Sequence, residues 1–204
     1  MKLPLLLIVC AACSYLVGGV NPAIVLSTLI YHQDIRTLGS KNPGFTNFKR
    51  VYGNRYAWFV FALDILKAVI LCVLFCPLFE LCEKTYAFGA AYTGLYAMLG
   101  HAFPIWYRFK GGKGFLVGAA AIWFIDWRAA LIVFAVWGLL LAATKYMSLS
   151  VICAATACPF VLALLGNPVD VCALCAAACV LLIVRHRENI VRLLNKTESR
   201  FHLK

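Results

Sequence analysis

Charge is what this chain has least of, and acidic charge above all. Only 13% of its 204 residues are charged, with eight Asp and Glu against nineteen Lys and Arg. Soluble domains carry about 25% charged and about 45–50% apolar residues. Here the hydrophobic share is 64%, which excludes an ordinary soluble domain and points to an integral membrane protein. Carboxylates suited to magnesium do not cluster, and no Gly-x4-Gly-Lys-Ser/Thr spacing occurs, so a nucleotide-binding P-loop is excluded. No internal repeat or separate soluble stretch is visible, and residues 1–204 read as one all-α domain. Cysteine is not scarce, but all ten except Cys82 lie inside apolar runs, where Cys acts as a small hydrophobe. The Cys10/Cys13 and Cys172/Cys175 pairs have no polar ligands beside them, and neither a metal nor a cofactor is expected.

The apolar material falls in seven segments, near residues 3–30, 56–79, 86–106, 114–125, 128–144, 149–165 and 169–184. The first begins like a signal peptide but continues far enough to be an uncleaved span. The fourth is short: about 12 residues reach only about 18 Å against a hydrocarbon core near 30 Å. It either stands alone, giving seven spans, or fuses with the fifth, giving six. Charge favours seven. With the N-terminus external and the C-terminus cytoplasmic, fifteen of the nineteen cations fall inside, and Lys2, Lys84 and Arg128 fall outside among Glu80, Glu83, Asp126 and Asp170. Six of the inside cations, from Arg185 to Lys204, form the tail, which fusion would send outside. Because the cations flank apolar spans, anionic lipid or a phosphorylated substrate is expected rather than nucleic acid.

That topology gathers three polar stretches on one face. The first, GSKNPGFTNFKR at residues 39–50, has Gly39 and Gly44 free to take positive φ, a tight turn at Asn42-Pro43-Gly44, short polar side chains in Ser40, Thr46 and Asn47, and the cations Lys41, Lys49 and Arg50. It reads as a phosphate-holding loop, or else as an ordinary basic connector. The second ends in Gly111-Gly112-Lys113-Gly114 before the short fourth helix, where bare backbone N–H groups and a helix N-terminus favour an anion. His101 at its start is a candidate general base, or a structural histidine. The third, RHRENIVRLLNKTESRF from Arg185, reads as an interfacial amphipathic helix with Ile190, Leu193 and Leu194 toward lipid. His186 and Asn189 share a face of it, and Glu198 follows. Within the second span, Asp64 and Lys67 form an intramembrane pair whose role is either functional or packing.

Together these stretches resemble the bacterial acyl-phosphate:glycerol-3-phosphate acyltransferase family. Its Gly-Ser-x-Asn-x-Gly-x-Thr-Asn motif with a following Arg is met by Gly39, Ser40, Asn42, Gly44, Thr46, Asn47 and Arg50. Gly100, His101, Phe103 and Gly111 to Gly114 meet the second motif, and His186, Arg187, Asn189, Ile190, Arg192, Leu193, Thr197 and Glu198 the third. Lys41, Phe45 and Lys196 depart from the usual Gly, Ala and Gly. The resemblance implies acyl transfer from acyl phosphate to the 1-hydroxyl of glycerol 3-phosphate in a bacterial inner membrane, with lipid as partner and the site facing the cytoplasm. It implies Ser40, Asn42, Thr46, Asn47 and Arg50 as substrate or phosphate contacts, with Gly111 and Gly112 as backbone donors. It also implies catalytic roles for Lys113, His186 and Asn189, with Glu198 ordering the site, and a substrate phosphate oxygen or His101 taking the hydroxyl proton. A transporter or flippase for a phosphorylated solute is the competing class, set back by the missing repeat.

Overall fold

A computed structural model describes residues 2–201, so Lys204 of the basic tail lies outside the described residues. Among them are ten α-helices and no strand: α1 Leu3–Gly19, α2 Pro22–Tyr31, α3 Phe45–Tyr52, α4 Asn54–Glu80, α5 Tyr86–Ala102, α6 Phe115–Ile125, α7 Trp127–Thr144, α8 Met147–Leu164, α9 Val169–Arg185 and α10 Arg187–Leu194. Four stretches are long and apolar enough to cross a membrane, namely Leu3–Tyr31, α4, α7 and α8, or five if α9 and α10, bent by 58°, are one span. The seven expected segments are all helical, but α5 and α9 stop at 17 residues and α6 at 11.

Helix α5 sits at the centre, packed on α1, α4, α6 and α9. Its buried residues are mostly small, including Gly89, Ala90, Ala91, Gly94, Ala97 and Gly100, and small residues let helix backbones approach closely in lipid. At the α1–α5 crossing the approach is complete: a Cβ on Gly18 would lie 2.3 Å from the Ala97 carbonyl oxygen, and one on Gly100 would lie 2.0 Å from that of Tyr15. Helices α7 and α8 pair on the other side, joined to the centre through α6 and α9.

Three breaks shape the molecule. The first apolar segment, expected as one run, is interrupted at Val20-Asn21, because Pro22 cannot continue the preceding helix and Asn21 caps the next by accepting from the Ile24 N–H at 3.1 Å. Asp126 separates α6 from α7, accepting from the Arg128 N–H at 2.9 Å while its backbone is extended, so the short fourth helix does not fuse with the fifth. His186 lies at the bend between α9 and α10. The stretch read as a loop to Arg50 also turns helical earlier than expected: α3 begins at Phe45, and its Phe48 is fully buried against Ile35, Ala57 and Val60. Thr46, Asn47 and Arg50 therefore stand on a helix rather than in the loop.

Candidate active site

The first loop is built by Asn47. Its Oδ1 accepts from the Ser40 N–H at 2.8 Å and its Nδ2 donates to the Leu38 carbonyl at 3.0 Å. Both polar atoms of this buried amide are thus engaged by its own loop, and Asn47 shapes the turn that carries Ser40. Gly39 takes a positive φ of 55° as expected, whereas Gly44 is extended at −156° and Lys41 takes the second left-handed position at 59°. The tight turn at Asn42-Pro43-Gly44 forms, closed by the Gly44 N–H on the Asn42 carbonyl at 3.0 Å. The Pro43 carbonyl accepts from Asn21 Nδ2 at 3.0 Å, tying the loop to the break in the first segment. Asn42 and Thr46 are half-buried beside it, and Arg50 is exposed.

The second loop departs from expectation in its donors. The Gly111 N–H bonds the Ala102 carbonyl at 3.2 Å and the Gly112 N–H bonds that of His101 at 2.9 Å, so neither is left to hold a phosphate. Their carbonyls are held as well, by Arg185 Nη2 at 2.8 Å and Nε at 3.0 Å. Glycine is required here by space: a Cβ on Gly111 would lie 2.1 Å from the His101 carbonyl oxygen, and one on Gly112 would lie 2.2 Å from His101 Nε2. Gly114, in the left-handed region at φ 84°, starts α6 without any side-chain cap, and the first N–H groups of a helix have no intrahelical partner.

Lys113 stands beside that helix start and donates to Asn189 Oδ1. Asn189 Nδ2 donates to Glu198 Oε1 at 2.6 Å, Ser148 donates to the same oxygen at 2.8 Å, and Arg192 Nε donates to Oε2 at 2.7 Å. Glu198 thereby orients three donors from α8 and α10. Burial opposes its charge, but the Asn189, Arg192 and Ser148 hydrogen bonds outweigh that and hold the carboxyl below its ordinary range. Burial pushes the Lys113 ammonium down to about 8, with the nearby Arg192 charge pushing the same way. His186 is buried with Nδ1 2.8 Å from the Leu182 carbonyl, an acceptor only, so the proton sits on Nδ1 and Nε2 keeps a lone pair. His101 lies behind the GGKG loop, Nδ1 3.0 Å from Lys67 Nζ.

The three stretches meet. Pro43 of the first abuts Gly112 of the second, where a Cβ would lie 3.1 Å from its carbonyl oxygen; Arg185 and Asn189 of the third reach the second; and Arg50 Nη2 donates to Ser199 at 3.1 Å, closing the ring. Arg185 and Ser148 were not singled out from sequence. Arg185 was visible as the cation opening the third stretch, whereas Ser148 sits in a run of ordinary span residues and gave no signal. Among the described residues no group of three His, Cys, Asp and Glu could hold a metal ion.

The sequence profile of the glycerol-3-phosphate acyltransferase family matches residues 8–196. This chain belongs to that family. It is similar to the glycerol-3-phosphate acyltransferase of Aquifex aeolicus, 36% identical over 188 residues that cover 92% of this chain and 95% of the relative. The corresponding protein of Cupriavidus necator is 39% identical over 194 residues, 93% and 94% of the two chains. Among solved structures, PlsY, an integral membrane glycerol 3-phosphate acyltransferase, superposes in its glycerol 3-phosphate form with a TM-score of 0.86 at 33% identity, over 96% of each chain. Its lysophosphatidic acid form gives 0.83 at 32%. Like PlsY, this member of the family is an all-helical integral membrane protein.

Proposed function

We propose that this chain transfers a fatty acyl group from acyl phosphate to the 1-hydroxyl of glycerol 3-phosphate, giving lysophosphatidic acid and inorganic phosphate. The observation that carries the reading is the meeting of three cation-bearing stretches around the GGKG loop, with Lys113 beside the uncapped start of α6. Acyl phosphate is already activated, so the protein need mainly position two anions and stabilise developing charge. The hydroxyl oxygen attacks the acyl carbonyl carbon, the bond from that carbon to the phosphate oxygen breaks, and the hydroxyl proton ends on the departing phosphate. Lys113, Ser40, Asn42, Thr46 and Arg50 contact phosphate, with the α6 N-terminus as backbone donor in place of Gly111 and Gly112. His186, through its Nε2 lone pair, and Asn189 orient the glycerol unit, and Glu198 holds Asn189 and Arg192 in place.

The first part of the acyl chain enters an apolar cavity of about 100 Å³ lined by Phe115, Met98, Gly94, Gly118, Trp137 and Leu182. We place the site at the cytoplasmic face of a bacterial inner membrane, with seven spans in a single domain, on the strength of the cation distribution. The test is purified protein given glycerol 3-phosphate with either acyl phosphate or acyl-CoA. Lysophosphatidic acid should form from acyl phosphate without added metal or nucleotide. Comparable turnover with acyl-CoA, or its loss on adding a chelator, would contradict the reading.

A further inference from the structure

Lys67 is the most enclosed cation in the described structure, and its partners explain why α4 carries it. Nζ donates to the Gly18 and Val20 carbonyls, each at 2.9 Å, and lies 3.0 Å from His101 Nδ1. The two carbonyls belong to the C-terminal end of α1, where a positive charge is favoured. An ammonium has three protons and no lone pair, and here three of the four acceptor atoms around it, the two carbonyls and Nδ1, are placed in hydrogen-bond geometry. Asp64 Oδ1 lies 2.8 Å from Nζ and 3.4 Å from His101 Nδ1, so its charge faces both groups, although it makes no hydrogen bond itself. Lys67, a donor only and nearer to Nδ1 of His101 than the Asp64 carboxylate, makes that nitrogen the acceptor. The neutral ring must then carry its proton on Nε2.

That tautomer has a consequence for the loop. Nε2 faces Gly112 so closely that no side chain fits between them, and the Gly112 N–H is held by the His101 carbonyl at 2.9 Å. One residue thus braces the loop with its ring and its backbone, one position before Lys113. The nitrogen that could act as a base is occupied, and the other bears a proton.

We propose that Lys67 and Asp64 are positioning residues for acyl transfer: they fix His101 as the neutral Nε2–H tautomer, and that ring sets the Gly112 backbone that aims Lys113. The proposal rests on the acyltransferase reading above, and it removes His101 from the candidates for general base.

The test begins with the intact protein carrying ¹⁵N-labelled histidine, the His101 signals being assigned by their loss in His101→Gln. The expected spectrum shows Nε2 protonated and Nδ1 bare; a proton on Nδ1, with or without one on Nε2, overturns the assignment. This readout does not depend on turnover. The second arm is the Asp64→Asn/Lys67→Met variant, which removes the buried charges as a neutral pair. Nδ1 should lose its fixed donor and both tautomers should appear, while kcat for lysophosphatidic acid formation falls by roughly tenfold or more. Adding His101→Gln to that variant should cost little further, because the residues act through one another. Effects that multiply, or an unchanged tautomer with unchanged kcat, would overturn the positioning role. An inactive wild-type protein would overturn the proposed reaction and this role in it, but not the tautomer.

Discussion

In the proposed reaction the Lys113 ammonium is the group that binds phosphate, and its setting makes a pH prediction. Burial and Arg192 bring it down to about 8, so the charged form that binds phosphate is lost as pH rises through that value. We expect kcat/KM for glycerol 3-phosphate to fall on the alkaline side of about pH 8, and Lys113→Arg to abolish that limb because a guanidinium does not deprotonate there. A profile flat to pH 9 or an unmoved limb in the Arg variant would contradict the assignment. Glu198 supports the same group through Asn189, and hydrogen bonds to charged groups are worth about 1.5–3 kcal/mol. Because a Gln oxygen can still accept from Asn189, we expect the low end: Glu198→Gln should lose roughly tenfold in kcat/KM. An undiminished rate at matched folded levels would separate Glu198 from the site. Such residues were legible in the sequence because charges and amides stand out in an apolar chain. The engagement of the Gly111 and Gly112 N–H groups was not, since it depends on the fold of the loop against Ala102 and His101.

Among the elements, long apolar runs identify helices but hide their breaks. Nothing in the hydropathy of residues 3–30 marks Val20-Asn21; only the Asn-Pro pair does, and its meaning comes from Asn21 also reaching Pro43. Helix α3 was missed for the opposite reason: turn residues and cations outweighed the spacing of Phe48, Val51 and Tyr52, which pack below it. The α1–α5 crossing gives the prediction at this scale. Gly100→Val would place side-chain carbon where the Tyr15 carbonyl now lies, and overpacking of this kind costs about 1–3 kcal/mol. Thermal unfolding in detergent should show Tm lowered by several degrees. An unchanged Tm would mean the two helices are not held at that distance.

For the whole molecule, the cation distribution predicts sidedness: Cys82 should react with an impermeant thiol reagent from outside, and Ser40→Cys and Lys196→Cys only from inside. Reaction of all three from one side would contradict the seven-span arrangement. The sequence placed its three polar stretches on one face by charge alone, but their mutual contacts depend on Arg185, Ser148 and the tail at Ser199, which no local pattern announced. That convergence on one phosphate-holding loop is the central claim, and steady-state kinetics of Lys113→Ala and Gly112→Val, with both substrates varied at matched folded levels in membranes, test it most directly. Lys113→Ala should lose roughly ten- to hundredfold in kcat/KM, the worth of one charge-assisted bond. Gly112→Val should lose at least as much with no change of charge, because its side chain would collide with His101 Nε2. Near wild-type kcat/KM in both variants would remove the loop from the active site.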